Sequence, residues 1–285
     1  DLVIMTLGGK NGSCSVASMG EGVDGTNINL PFCQETFIRR AAELGKPMVG
    51  IHFDGRPISS DAADQYLDAI LAWNPAEKGA EAVVKVLIGE YNPGGRLPVS
   101  VARCAGQIPI YYNHPNGSAY HQGESIGFKN YVDMPHTPRY YFGHGLSYTT
   151  FEYSGLKIDQ KSIGPKEQIG IELTIKNTGS RKGDEIIQLY FRDLYASTTR
   201  PVKELAGFKR ITLKAGEEKR VFFVMKASQT AFLDRTMRWK IEKGEFEIQI
   251  GSSSEEIQLC DMFCITEDAW IEGRERGFYA DARVI

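Results

Sequence analysis

An α/β unit with a mostly parallel sheet, followed by an all-β sandwich, is the architecture this sequence predicts. Three observations predict it. Short apolar runs alternate with helix-patterned stretches up to about residue 90, strict period-two alternation takes over from Phe151, and a Gly- and Pro-punctuated stretch lies between them.

The first apolar run is Leu2-Val3-Ile4-Met5-Thr6-Leu7, closed by Gly8-Gly9, and reads as a buried strand. Gln34 to Leu44 has Phe37, Ile38, Ala41, Ala42 and Leu44 at helical spacing, with Gly45 as its stop. Pro47 to Phe53 is a second short apolar run that ends in the turn signature Asp54-Gly55-Arg56-Pro57. Ser60-Asp61 reads as a helix N-cap region. Asp68 to Trp73 is a third strand candidate, and Glu77 to Gly89 a helix with Ala80, Val83, Val84 and Leu87 on one face. Few strands are visible where a stable sheet has about five or six, so further strands are expected before Asp1.

Residues 90–150 carry Asn92-Pro93-Gly94-Gly95, Ile108-Pro109, His114-Pro115-Asn116-Gly117, Met134-Pro135 and Thr137-Pro138. Their many aromatics, among them Tyr111, Tyr112, Tyr120, Tyr140 and Phe142, argue for an ordered connector, because disordered segments are aromatic-poor. Beyond Phe151, the stretches Ile169–Asn177, Glu185–Phe191, Leu205–Leu213, Glu218–Met225 and Gly244–Ile250 are short strands separated by turn residues such as Lys214-Ala215-Gly216. That spacing fits a fibronectin- or immunoglobulin-like sandwich, which braces a neighbour or binds a partner rather than performing catalysis. The tail after Cys264 fits neither pattern.

Composition narrows the function classes. The 285 residues are 42% hydrophobic and 24% charged with a net charge of −3, and Lys and Arg are dispersed. This excludes the basic footprint of a nucleic-acid binder. No apolar run reaches the roughly 18 residues of a membrane span. The odd cysteine count (Cys14, Cys33, Cys104, Cys260, Cys264) argues against a disulfide framework, and these thiols read as buried or incidental. Cys260 and Cys264 have no histidine near them in sequence, and His52, His114, His121, His136 and His144 are dispersed, so no metal site is expected. The chain opens on a core strand without an initiator Met, which reads as a piece of a longer protein and leaves its location open.

The stretch with most chemical content is Ser18 to Pro31, SMGEGVDGTNINLP, with Gly20-Glu21-Gly22-Val23-Asp24 at its centre. It follows the first strand, where open α/β sheets bind ligands beyond the carboxyl ends of their strands. Glycines on both sides let the chain approach a ligand closely and hold Glu21 at a cleft rim. On the residues alone, a solvated loop Glu is the competing reading.

These motifs together resemble the C-terminal part of glycoside hydrolase family 3, the β-glucosidase and β-xylosidase group. The resemblance is carried by GEGVDGTNINLP (20–31), GKPMVGIHFDGRP (45–57), AWNPAEKGAEAVVKVLIGEYNPGGRLPVS (72–100), IPIYYNHP (108–115), YYFGHGLSYTTFEYSGL (140–156) and the run from Gly183 to Glu218. It implies a flavodoxin-like α/β sandwich over residues 1–110, a connector over 111–150, a fibronectin type III-like domain over 151–262 and an extension over 263–285. It further implies that a (β/α)8 barrel, absent from this chain, supplies the Asp nucleophile and most sugar contacts.

The resemblance assigns the acid/base role to Glu21, in the family's Glu-Gly-x-Asp-Arg pattern. Here the Arg position holds Gly25, which puts that residue's bracing of the loop in question but not the carboxylate. Asp24 either orients the loop or is exposed, and Arg56 is a structural ion-pair partner in preference to a substrate contact. Glu124, in HQGESIGF, is the runner-up acid/base. The expected function is a retaining exo-acting β-D-glycosidase, most simply a β-glucosidase, acting on a β-glucoside or other β-linked oligosaccharide without metal or cofactor. This chain would be inactive alone and would expose an apolar face to the barrel. The alternative is a non-catalytic module that binds carbohydrate or protein.

Overall fold

The computed structural model describes residues 1–9, 25–72, 79–115, 131 and 133–285. They form two compact units. One comprises Asp1–Tyr91, Val99–Ile110 and Thr137–Tyr140, and the other Asn92–Pro98, Tyr111–His136 and Tyr141–Ile285.

In the first unit, β1 (Val3–Leu7), β2 (Met48–His52) and β3 (Ala69–Leu71) pair in parallel, with β2 in the middle. The β1–β2 register sets Val3 opposite Met48 and Leu7 opposite His52. Met5 and Leu7 face the core while Ile4 points outward, as the period-two geometry of a strand requires.

Helix α1 (Phe32–Ala42) starts after Pro31, carries Glu35 in its first turn and Arg39 and Arg40 in its last, and so complements its own dipole. Gly45, at φ +61°, ends it by donating its amide to Ala42. Helix α2 (Asp61–Tyr66) is capped by Ser60, whose hydroxyl accepts from the Ala63 amide at 2.9 Å. Ile38, Ala41, Ala62 and Ala63 join Met5, Leu7, Leu30 and Met48 in one small core. Helix α3 (Gly79–Leu87) buries none of its residues despite its apolar content, and Val84, Ile88 and Tyr91 stay exposed. Leu2, Ile4 and Phe32 are exposed as well.

The second unit is a sandwich. One sheet runs β5 (Ser162–Ile163), β13 (Ile257–Ile265), β12 (Gly244–Gly251), β7 (Gly183–Asp193), β8 (Glu204–Leu213). The other runs β15 (Asp281–Val284), β9 (Glu218–Lys226), β6 (Gln168–Asn177), β4 (Phe151–Ile158). A small third sheet joins β10 (Phe232–Leu233), β11 (Trp239–Ile241) and β14 (Ala269–Ile271). Pairing in this unit is antiparallel except between β5 and β13, so over the whole chain antiparallel pairs predominate, and parallel pairing characterises the first unit.

Alternation along β6 buries Ile169, Ile171, Leu173 and Ile175 against Ile187, Leu189, Phe223 and Ile248, which gives the unit one continuous core. Asn177 ends β6 fully buried. Its side chain accepts from Thr149 Oγ1 at 2.6 Å and from the Gly179 amide, and donates to the Arg181 and Leu213 carbonyls. Arg96 pairs with Glu185 inside this unit, and Tyr153 donates to the same carboxylate at 2.6 Å.

The tail beyond Cys264 has structure that its sequence pattern does not announce. It supplies β14 and β15, and β13 runs through residue 262. Cys33 and Cys260 are exposed, which corrects the expectation of buried thiols, because Cys260 falls on the outward phase of β13 and Cys33 on the open side of α1. Within the described part of the connector, Tyr112 stacks on Phe142 at 4.4 Å and meets Tyr190 edge-on.

Candidate active site

The described surroundings of the Glu21 segment lie at the carboxyl end of the parallel sheet. Glu21 and Asp24 themselves, and Glu124, lie outside the described residues. The two limbs that lead into and out of residues 10–24 are both described, and each is held by named groups.

The outgoing limb turns at Gly8, directly after β1. Its φ of +135° is one that L side chains rarely adopt. A Cβ there would collide with the Phe53 carbonyl and lie 3.0 Å from Asp54 Oδ1. From the other side, the Gln34 side chain grips the same residue twice. The Gly8 amide donates to Gln34 Oε1 at 2.9 Å, and Gln34 Nε2 donates to the Gly8 carbonyl at 2.7 Å. Helix α1 places Gln34 there because Pro31 starts the helix just after the returning limb.

The returning limb emerges at Gly25, where a Cβ would lie 3.1 and 3.3 Å from the terminal nitrogens of Arg56. Leu30 then donates its amide to the Ser59 carbonyl at 3.1 Å, and the Ser59 amide donates to the Ile28 carbonyl at 2.8 Å. Ser59 Oγ accepts from Arg139 Nε at 2.7 Å and donates to the Arg103 carbonyl. Arg139 also pairs with Asp61 and, at 2.9 Å, with Asp64, so the first turn of α2 is locked to the same point. Tyr140 donates to Asp64, and burial together with that carboxylate pushes its phenol up to about 12.

Between the limbs lies the turn from His52 to Arg56. His52 Nδ1 is 3.1 Å from Asp54 Oδ2, and both side chains are more than nine-tenths buried. Among the described residues, Asp54 Oδ1 and His52 Nε2 have no hydrogen-bond partner. Arg56, half-buried, is the one sequence-predicted site residue among the described ones, and its guanidinium lies against Gly25. Sequence reasoning missed Gln34, Ser59 and Arg139, whose roles depend on partners 26 to 80 positions away. Among the described residues no group of three or more His, Cys, Asp or Glu side chains is placed to hold a metal ion. The described residues thus form a frame of backbone and buried polar contacts around the two limbs that flank residues 10–24.

Residues 1–148 match the family model described as glycosyl hydrolase family 3 C-terminal domain, and residues 185–254 match the fibronectin type III-like domain. The chain is 38% identical over 261 residues to a periplasmic beta-glucosidase of Salmonella typhimurium, covering 90% of this chain and 34% of that protein. It is 36% identical to a beta-xylosidase of Formosa agariphila, covering 89% of this chain and 34% of that one. Among solved structures, the beta-glucosidase of Listeria innocua in complex with glucose superposes with a TM-score of 0.85 at 33% identity, over 93% of this chain and 36% of that one. The chain spans about a third of the length of the curated relatives it matches.

Proposed function

The chain belongs to glycoside hydrolase family 3, and we propose that it is the C-terminal part of a retaining, exo-acting β-D-glycosidase, a β-glucosidase in preference to a β-xylosidase. Glu21 is the acid/base, Asp24 and Arg56 orient its segment, and a barrel domain supplies the Asp nucleophile. The substrate is a β-glucoside or another β-linked oligosaccharide.

The observation that carries this reading is the frame around residues 10–24. Gly8 and Gly25 stand where a side chain would collide with Phe53 or crowd Arg56, so both limbs of the Glu21-bearing segment run hard against one turn at the sheet's carboxyl edge. The relatives named beta-glucosidase and beta-xylosidase support it.

A retaining mechanism needs two carboxyl groups roughly 5–5.5 Å apart. One attacks the anomeric carbon while the other protonates the leaving oxygen, and the second then deprotonates the water that releases the sugar. Glu21 takes the second role. Packing against a neighbouring domain would desolvate its carboxyl and bring it near the nucleophile's charge, and both effects raise its pKa towards the working pH.

The exposed apolar residues of α3 and β1 support a docking face for the missing part. We also read β1–β3 as part of a flavodoxin-like sheet over 1–110. The connector is then 111–150, the fibronectin type III-like domain 151–262, and 263–285 an extension that adds β14 to the small third sheet and β15 to the sandwich.

The experiment is Glu21→Gln in the complete enzyme. Turnover should fall by about 10²–10⁴-fold, least for substrates with good leaving groups, with KM little changed. Azide should restore part of it by replacing the base-activated water. Full turnover on poor leaving groups would remove Glu21 from the role and make Glu124 the next position to test.

A further inference from the structure

We infer that Gln34 is a positioning residue for the acid/base step: it fixes the point from which the chain leaves β1 on its way to Glu21. The inference rests on the acid/base reading of Glu21 above, and on a geometry that lies wholly within the described residues.

Among the described residues, both ends of the Gln34 side-chain amide bond to Gly8. Its oxygen accepts the Gly8 amide at 2.9 Å and its nitrogen donates to the Gly8 carbonyl at 2.7 Å. Those two groups flank a backbone at φ +135°, which only glycine adopts without strain. On its opposite side Gly8 is closed in by the Phe53 carbonyl and Asp54 Oδ1. A peptide held by a bidentate amide on one side and by van der Waals contact on the other has little freedom to translate or rotate.

The clamp also couples the two limbs. Gln34 stands three positions after Pro31, which ends the returning limb, so the first turn of α1 ties the segment's end to its beginning. Next to it, Glu35 Oε2 accepts the Ala62 amide at 3.1 Å, which anchors that turn to α2. Gln34 is thus fixed from behind and can transmit that rigidity to Gly8. A displacement of about 1 Å at a catalytic group can cost about 10²-fold in rate, and on this proposal releasing Gly8 displaces Glu21.

Gln34 is part-buried and lies outside the core cluster of this unit. Methionine matches its length without its hydrogen bonds, and glutamate matches its shape while turning the donor facing the Gly8 carbonyl into an acceptor.

The test is a double-mutant cycle in the complete enzyme with Gln34→Met, Gln34→Glu and Glu21→Gln, assayed on aryl and alkyl β-glucosides. With Glu21 present, each Gln34 variant should lower kcat by about 10- to 100-fold on poor leaving groups, less on good ones, with KM within about threefold. In the Glu21→Gln background the same substitutions should cost less than about twofold, because the clamp acts through Glu21. Equal losses in both backgrounds, parallel changes in kcat and KM, an unchanged kcat, or loss of folding in both Gln34 variants would each overturn the proposal. Failure of the acid/base reading would show separately, as full turnover in Glu21→Gln alone.

Discussion

The Arg96 guanidinium lies 2.8 Å from the Glu185 carboxylate, with the two side chains only 8% and 2% exposed. Burial raises the Glu185 carboxyl above its ordinary range, while Arg96 and the Tyr153 hydroxyl pull it down. Arg96→Met should therefore cost about 3–5 kcal/mol at neutral pH, the usual penalty for stranding one partner of a buried pair. Because the stranded carboxyl would be easier to fold protonated, the loss should shrink as pH falls towards 4.5. Urea denaturation of the variant at pH 5 and pH 7 measures this, and a loss independent of pH would contradict it.

His144 gives a pH dependence of the opposite sign. Burial lowers its imidazole below 6.5, with Arg96 adding to the effect and Glu256 opposing it. A depressed folded-state pKa means that the neutral ring's contribution is complete above 6.5 and is lost as pH falls through the lower folded value. Thermal unfolding followed from pH 7.5 to 5 should show a declining midpoint that flattens in His144→Gln.

Asn177→Asp tests the buried amide at the end of β6. The replacement opposes an acceptor to the Arg181 and Leu213 carbonyls, both of which now receive a hydrogen bond from Nδ2. The cost should be about 2–5 kcal/mol, since each unsatisfied buried group costs roughly 1–3 kcal/mol. It should grow as pH rises above about 4, where an Asp side chain ionises. A denaturation midpoint unchanged at pH 7 would show that the site is wetter than its burial implies.

If a barrel domain supplies the nucleophile, as proposed above, the isolated 285-residue chain should not hydrolyse aryl β-glucosides, because pairing two positioned groups supplies much of the rate. Assay of the purified polypeptide decides this. Turnover above background that survives Glu21→Gln would overturn both the site assignment and the need for a barrel.

Local chemistry made much of the fold legible. The Ser60 cap, the Gly45 stop and the alternation in β6, β7, β8, β9 and β12 are all set by near neighbours, and the structure has them within a few residues of the expected limits. What sequence could not show depends on distant partners. β15 is only four residues long and is a strand because β9 offers it an edge. Gln34 looks like any polar first-turn residue until Gly8 is seen to be its partner. Arg139 likewise has no motif around it that announces Ser59 or Asp64.

The pairing of β15 with β9 bears on how the protein behaves in solution. Asp281 to Val284 lie alongside Val221 to Val224, and Ile285 donates its amide to the Arg220 carbonyl at 3.0 Å. Without that strand, β9 would present a row of open amides and carbonyls, the template on which foreign strands add and fibrils or domain-swapped dimers start. With Asp281 to Val284 in place the sheet ends in a strand of only four residues, a blunter edge than β9, so a proteolytic nick that loosened it should show first as loss of solubility.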